Sequence, residues 1–234
     1  MMDVVYILKN DFGDSSELRY SLRSVVENFP HSRVVFAGGC PEGFQPDYQI
    51  DYRQIGQTKW DKVNNTILKV CEDEEVTDDF WLFNDDFFIM RPWAYGEQPL
   101  IGGLLADHIA RIEAEREGEP SSYSAALRKV EKLLWDRKLP TNDYCIHVPM
   151  LVNKAKARES IAEFGSCPMF RSLYGNYTYK EALQIADVKI TDPWEEPDPD
   201  ALLLSSLEGS FALGRVGAFV RERFQEPSEY EGWY

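Results

Sequence analysis

Two adjacent carboxylates, Asp85 and Asp86, sit inside one of the most apolar runs of the chain, DDFWLFNDDFFIMRPW over residues 78–93. Phe80, Trp81, Leu82 and Phe83 precede them, and Phe87, Phe88, Ile89 and Met90 follow. An ionised carboxylate is costly to remove from water unless a cation or hydrogen-bond donors compensate it. The plain explanation of neighbouring acids is a solvated turn between strands. Here the flanks leave little sequence for a long exposed loop, so Asn84, Asp85 and Asp86 are expected in a tight connection. A hard divalent cation, Mg2+ or Mn2+, would neutralise such oxygen ligands, and its remaining positions would suit diphosphate oxygens. Asp85 and Asp86 are therefore the metal candidates.

The surrounding elements must bring that connection to a crevice. Residues 3–9 (DVVYILK) read as a buried strand, and residues 14–29 follow with helical spacing at Leu18, Leu22, Val25, Val26 and Phe29. Ser15 or Ser16 is placed to cap this helix, and Glu17 suits its positive end. A strand over residues 32–39 comes next, then a short strand within residues 47–55. The helix over residues 58–73 carries Trp60, Val63, Ile67, Val70 and Cys71 on one side. A strand, a polar break and a second short strand follow over residues 79–90. This β-α-β-β-α-β order predicts an α/β fold with a mostly parallel sheet flanked by helices. The polar break falls at a strand's carboxyl end, where ligand crevices of such sheets lie.

Residues 94–141 change character. Two charged amphipathic helices predict a helical hairpin inserted in a single domain that spans residues 1–234. It reads as a lid or acceptor platform, or as a subdomain that only packs. Residues 142–153 return to strand character, with Pro149 marking an edge or a bend. A helix is expected over residues 154–164, another over residues 167–184 with a break at Gly175, and a strand over residues 186–192. The tail, residues 201–224, is read as helical.

Composition narrows the function classes. With 44% hydrophobic and 13% aromatic residues the chain can fill a core. The net charge of −15 disfavours long nucleic acid and anionic membranes as partners. No apolar run reaches the ~18 residues of a membrane span, and the first residues read as a strand and not as a leader, so a cytoplasmic location is expected. Cys40, Cys71, Cys145 and Cys167 form no CxxC pair, which argues against zinc and for free thiols.

The acidic connection resembles the metal-binding motif of GT-A-type glycosyltransferases, in which carboxylates hold a metal that grips the nucleotide diphosphate. A more specific resemblance rests on two ordered motifs. Glu17-Leu18-Arg19-Tyr20-Ser21-Leu22-Arg23-Ser24 and, downstream, Asn84-Asp85-Asp86 resemble the Stealth family of sugar-phosphate transferases. The His147-x-Pro149 segment followed by Arg171 is similar to a third feature of that family. The KWDKVNNTIL segment stands where the family contacts the nucleotide sugar, although it matches poorly. Asn10, Asp11 and Asp14 stand loosely where the family has an early aspartate-containing segment.

The resemblance implies a GT-A-like fold, a Mg2+ or Mn2+ cofactor and a UDP-sugar or related donor. It also implies an acceptor hydroxyl on a glycan, a protein or another polymer. Asp86, His147 and Arg171 become catalytic candidates. Arg19, Arg23, Lys59, Asn64 and Asn84 become substrate-binding candidates. Arginine forks suit phosphate oxygens. The plainer alternative for Arg19 and Arg23 is surface pairing with Glu17 or Glu27, and for Arg171 it is stacking on aromatic rings. His147 is open to three roles: general base, metal ligand or donor to a phosphate oxygen. His31 reads as incidental to a turn, and His108 as solvated. Three activities stay in view: sugar-1-phosphate transfer, transfer of the sugar itself, and nucleotide-sugar binding without turnover.

Overall fold

Strand β1 (Asp3–Leu8) lies inside the central sheet, between β2 (Val34–Gly38) and β4 (Asp79–Phe83). The strand order is β3-β2-β1-β4-β7, with β3 (Tyr48–Asp51) and β7 (Met150–Asn153) at the edges. Pairing is parallel from β3 to β4, and only β7 runs antiparallel. The computed structural model describes residues 1–11, 15–115, 121–165 and 168–232. Asp14 and Cys167, both singled out above, lie outside the described residues.

The strands alternate their side chains between two apolar layers, as strand geometry requires. Val4, Tyr6, Trp81 and Phe83 face helix α1 (Ser16–Asn28), which contributes Leu18, Leu22 and Val25. Val5, Val35, Phe80 and Leu82 face the other side, against Ile67, Val70 and Cys71 of α2 (Lys59–Glu72). That layer also takes Ala157 of α5 (Lys154–Phe164) and Tyr174 of α6 (Phe170–Thr178). Thr58 caps α2 in a reciprocal capping box with Asp61, which fixes where the helix starts. Ser15 stands at the N-cap of α1 without a side-chain cap bond.

The region read as a helical hairpin holds two helices, α3 (Leu105–Glu115) and α4 (Ser122–Asp136). Its apolar seam, with Leu105, Ile109, Leu127, Val130 and Leu134, packs on Met169 and Leu173 at α6. Before it, β6 (Leu100–Ile101) pairs with β8 (Leu183–Gln184). Among the described residues no helix is long and apolar enough to cross a membrane.

Several expectations change. Of the strand read over residues 142–153, only β7 forms, and the helix read over residues 167–184 ends at Thr178. The helix read over residues 167–184 has no break at Gly175: α6 runs through it, because the missing side chain lets Tyr144 pack there. A Cβ at Gly175 would meet the Tyr144 ring at 2.5 Å. Of the strand read over residues 186–192, only β9 (Lys189–Ile190) forms. The tail is not one helix. Residues Leu203–Ser206 form β10, which pairs with β5 (Phe87–Ile89) and β9 in a second sheet. Helices α7 (Glu208–Leu213) and α8 (Arg215–Arg223) cover that sheet, burying Phe88, Met90, Leu204 and Phe211. The acidic connection therefore joins two sheets, from the end of β4 to the start of β5.

Candidate functional site

Phe80, Phe83, Phe87 and Phe88 are fully buried. Each such ring contributes roughly 2 kcal/mol by the area it removes from water. They pin both ends of the Asn84–Asp85–Asp86 connection at the carboxyl edge of the central sheet. Successive residues in it face different surroundings. Asn84 and Asp85 line a cavity of about 750 Å3, whereas Asp86 turns toward the second sheet. Lys189 Nζ pairs with Asp86 Oδ2 at 2.7 Å, and Ser205 Oγ donates to the same oxygen at 3.1 Å. Asp86 Oδ1 is buried without a hydrogen-bond partner among the described residues. A buried carboxylate left wholly unpaired would cost several kcal/mol, so Lys189 and Ser205 are what keep Asp86 in place.

Among the described residues Asp85 has no such cation in contact. Burial first, and the charge of Asp86 second, push its carboxyl above the usual carboxylate range. Glu17, in the first turn of α1, belongs to the same acidic group. Burial, reinforced by Asp86 and Asp85, pushes it up to about 7. It accepts a 2.7 Å bond from Ser206 Oγ.

The cavity opens where β1, β4, α2 and α6 converge. Lys9 and Asp11 line it just past β1. Lys59, Trp60, Lys62, Val63 and Ile67 form the α2 wall, and Arg53 comes from the loop after β3. The apolar side of α2 thus divides: its first turns face the cavity, and Val70 and Cys71 enter the core. Asn10 ties the two loops together, donating to Tyr52 O at 3.1 Å and accepting from Gln54 N at 2.8 Å.

Arg171 closes the floor. Met169 adopts left-handed backbone (φ 61°, ψ 58°) at the start of α6, and Met169, Phe170 and Arg171 all line the cavity. Arg171 donates to Val148 O at 2.6 Å, to Leu82 O at 3.3 Å and to Asn84 Oδ1 at 3.4 Å, and it stacks on Phe87 at 5.1 Å. No carboxylate pairs with it among the described residues, and burial pulls it down to about 10. A guanidinium held by carbonyls alone keeps its charge available to an anion.

His147 also lines the cavity. Its Nδ1 lies 3.1 and 3.2 Å from the carboxylate oxygens of Asp187, and its backbone N–H donates to the same residue at 3.2 Å. Cys145 and Tyr123 complete that wall, the tyrosine coming from α4. Burial pushes the Cys145 thiol up to about 12, so it is no nucleophile at neutral pH.

The structure brings Asn84, Asp85, His147, Arg171 and Lys59 to one cavity. It does not bring Asn64, which is buried in α2 off the cavity wall. Arg19 and Arg23 face away as well. Both pair with Glu231 of the C-terminal segment, Arg23 through Nε and Nη2 at 2.7 Å each. The surface pairing weighed for them is also absent, since Glu17 bonds Ser206 and Glu27 bonds Arg223. His108 is not solvated: it is buried, 2.7 Å from Asp143. His31 bonds Phe29 O in its turn, as expected. Cys40, Cys71 and Cys145 are free thiols.

Asp187, Lys189, Ser205 and Glu17 are the site residues that sequence reasoning missed. Asp187 and Lys189 had a signal as charges in a short strand-like segment, and Glu17 as the first residue of the helix motif, where it was read for its place at the helix end and not for the site. Among the described residues no three His, Cys, Asp or Glu side chains gather as a metal cluster.

No protein-family model matches the chain, and no curated protein matches it. Solved structures do. An active-site mutant of LgtC matches with a TM-score of 0.52 at 10% sequence identity, over 97% of this chain and 98% of that one. Galactosyltransferase LgtC in complex with donor and acceptor sugar analogues matches with a TM-score of 0.51, at the same identity and coverage. These matches speak for the fold and leave the Stealth resemblance resting on its motifs. Along nearly its whole length, this chain has the GT-A-type fold of the glycosyltransferase LgtC.

Proposed function

We propose that the chain transfers a sugar from a nucleotide-diphosphate donor to an acceptor hydroxyl. The observation that carries this reading is one cavity at the sheet's carboxyl edge. It gathers Asn84, Asp85, His147 and Arg171 from separate parts of the chain. Its volume suits a ligand of nucleotide-sugar size. Trp60, Val63 and Ile67 offer the nucleoside an apolar wall, and Arg171 and Lys9 face the diphosphate.

The acidic connection fits a divalent cation in two respects. Among the described residues, Asp85 is a withdrawn carboxylate with no cation in contact, and Asp86 Oδ1 is buried without a partner. Mg2+ is commonly held by one or two carboxylates, with phosphate and water oxygens completing its shell. Asp85 and Asp86 would hold the ion, which when bound would offset charge on the departing diphosphate.

In the transfer itself the acceptor oxygen attacks the anomeric carbon. The bond from that carbon to the diphosphate oxygen breaks, and its electron pair leaves with the nucleoside diphosphate. His147 takes the acceptor proton. Arg171 stabilises the developing negative charge on the leaving group.

A second reading keeps the same residues and moves the attack. The acceptor oxygen would strike the β-phosphorus, the bridging bond to the α-phosphate would break, and a nucleoside monophosphate would leave with the electron pair. Two observations favour it: the ELRYSLRS, Asn84-Asp85-Asp86 and His147-x-Pro149 motifs in that order, and a carboxylate-free arginine suited to equatorial phosphoryl oxygens. Binding without turnover is the third reading.

Calorimetric titration with nucleotide-diphosphate sugars, with and without Mg2+ or Mn2+, tests the common core. Wild type is expected to bind at least one donor more tightly with the metal, and Asp85→Asn to weaken that binding by about tenfold or more. If no nucleotide-diphosphate sugar binds, the proposal is wrong.

A further inference from the structure

We infer that Asp187 is a positioning residue for the transfer reaction: it fixes which nitrogen of His147 carries the proton. The inference rests on the reading of the cavity as a transferase site, and its geometry stands independently. Asp187 accepts from both the backbone N–H and the ring Nδ1 of His147. It is itself held, three-quarters withdrawn from water at 23% side-chain exposure, beside a histidine exposed to the same degree, 24%. A carboxylate can only accept, so Nδ1 must carry the hydrogen. The lone pair of a neutral imidazole then resides on Nε2, for which no partner is present among the described residues. That removes one of the roles open to His147, donation to a phosphate oxygen by the neutral ring, and leaves the Nε2 lone pair for the proton transfer proposed above.

The placement of Asp187 supports a dedicated role. It lies between β8 and β9, two residues before Lys189, the cation that holds Asp86. One short stretch of chain thus orients the base through Asp187 and steadies the acidic connection through Lys189. His147 stands forty residues away in sequence, and among the described residues its side-chain hydrogen bonds all go to Asp187.

The direct test is the tautomer of His147, read from nitrogen chemical shifts in protein labelled with 15N-histidine. The chain has three histidines, so substitution of His31 and His108 assigns the signals. Wild type should show Nδ1 protonated and Nε2 bare. Asp187→Asn, whose amide can donate to Nδ1, should shift His147 toward the Nε2–H form. With a donor and acceptor identified, Asp187→Asn should lower kcat by about a hundredfold or more while donor KM stays within about twofold. An Nε2–H tautomer in wild type, or an unchanged kcat in Asp187→Asn, would overturn the inference. If the tautomer is as stated but no donor binds or turns over, the transferase reading fails and the pairing stands.

Discussion

At the scale of single residues, the two aspartates of the connection have divided tasks. Asp86 is tied down by Lys189 and Ser205, and Asp85 presents its charge to the cavity. Glu17 completes an acidic group whose electrostatics oppose ionisation. Its folded pKa of about 7 lies above the ordinary carboxylate value, so the folded state binds more protons than the unfolded state between about pH 4.5 and 7. Stability therefore falls as pH rises through that window. Glu17→Gln keeps an acceptor for Ser206 and removes the ionisation cost. It should raise stability by at most about 3 kcal/mol above pH 7 and leave it unchanged below about pH 4.5, as denaturant titrations across pH would show. A gain that is the same at all pH values would contradict this assignment.

At the scale of elements, the C-terminal segment works as a strap. Glu231 is almost fully buried, gripped by Arg19, Arg23 and the N–H and Oγ of Ser228. Burial opposes its charge, but the bonds from Arg23, Ser228 and Arg19 outweigh burial and hold it down at about 2. A lowered carboxylate stabilises above the unfolded value and loses that contribution as pH falls through the folded one. Glu231→Gln should cost about 2–3 kcal/mol at pH 7, with the difference from wild type fading between about pH 4.5 and 2. Parallel thermal melts of the two proteins across that range would measure it.

Helix α6 supplies the second element-scale test, because it carries Arg171. Gly175→Ala would gain about 1 kcal/mol of helix propensity. Its methyl would press on the Tyr144 ring at 2.5 Å, and overpacking costs about 1–3 kcal/mol. The net expectation is a loss of up to about 2 kcal/mol in denaturant titrations, and a more stable variant would contradict the packing argument.

The same elements show what was legible in the chain. The apolar periods place β1, β2, α2 and the helix over residues 154–164 within a residue or two, because each is a local pattern with a cap or turn beside it. The connection at residues 84–86 was legible for the same reason, as a polar break inside buried runs. The short strand at Leu203–Ser206 was not. It is set by pairing with Phe87–Ile89, more than a hundred residues away, and four residues carry no period that separates a strand from a helix end. Arg19 and Arg23 were legible as a pair of forks on one helix face, but their partner Glu231 lies over two hundred residues downstream. Asp187 was hidden likewise, its purpose visible only once His147 stands next to it.

At the scale of the whole molecule, charge is unevenly shared. The chain carries −15, yet the cavity is lined by Lys9, Arg53, Lys59, Lys62 and Arg171 against Asp11 and Asp85. An acidic exterior repels anions in general, and a cationic cleft admits them at one place. The central sheet, the second sheet behind the acidic connection and helix α4, which lends Tyr123, all converge on that cleft.

The central claim, that the cleft breaks down a nucleotide-diphosphate sugar, is tested most directly by identifying the nucleotide released. A panel of such donors would be incubated with wild type and with Asp85→Asn in Mg2+ or Mn2+, and products read by mass spectrometry. The account predicts a nucleoside diphosphate from wild type with at least one donor, and release slower by about a hundredfold in Asp85→Asn. A nucleoside monophosphate would move the attack to phosphorus. No release from any donor, or equal release by the variant, would contradict the account.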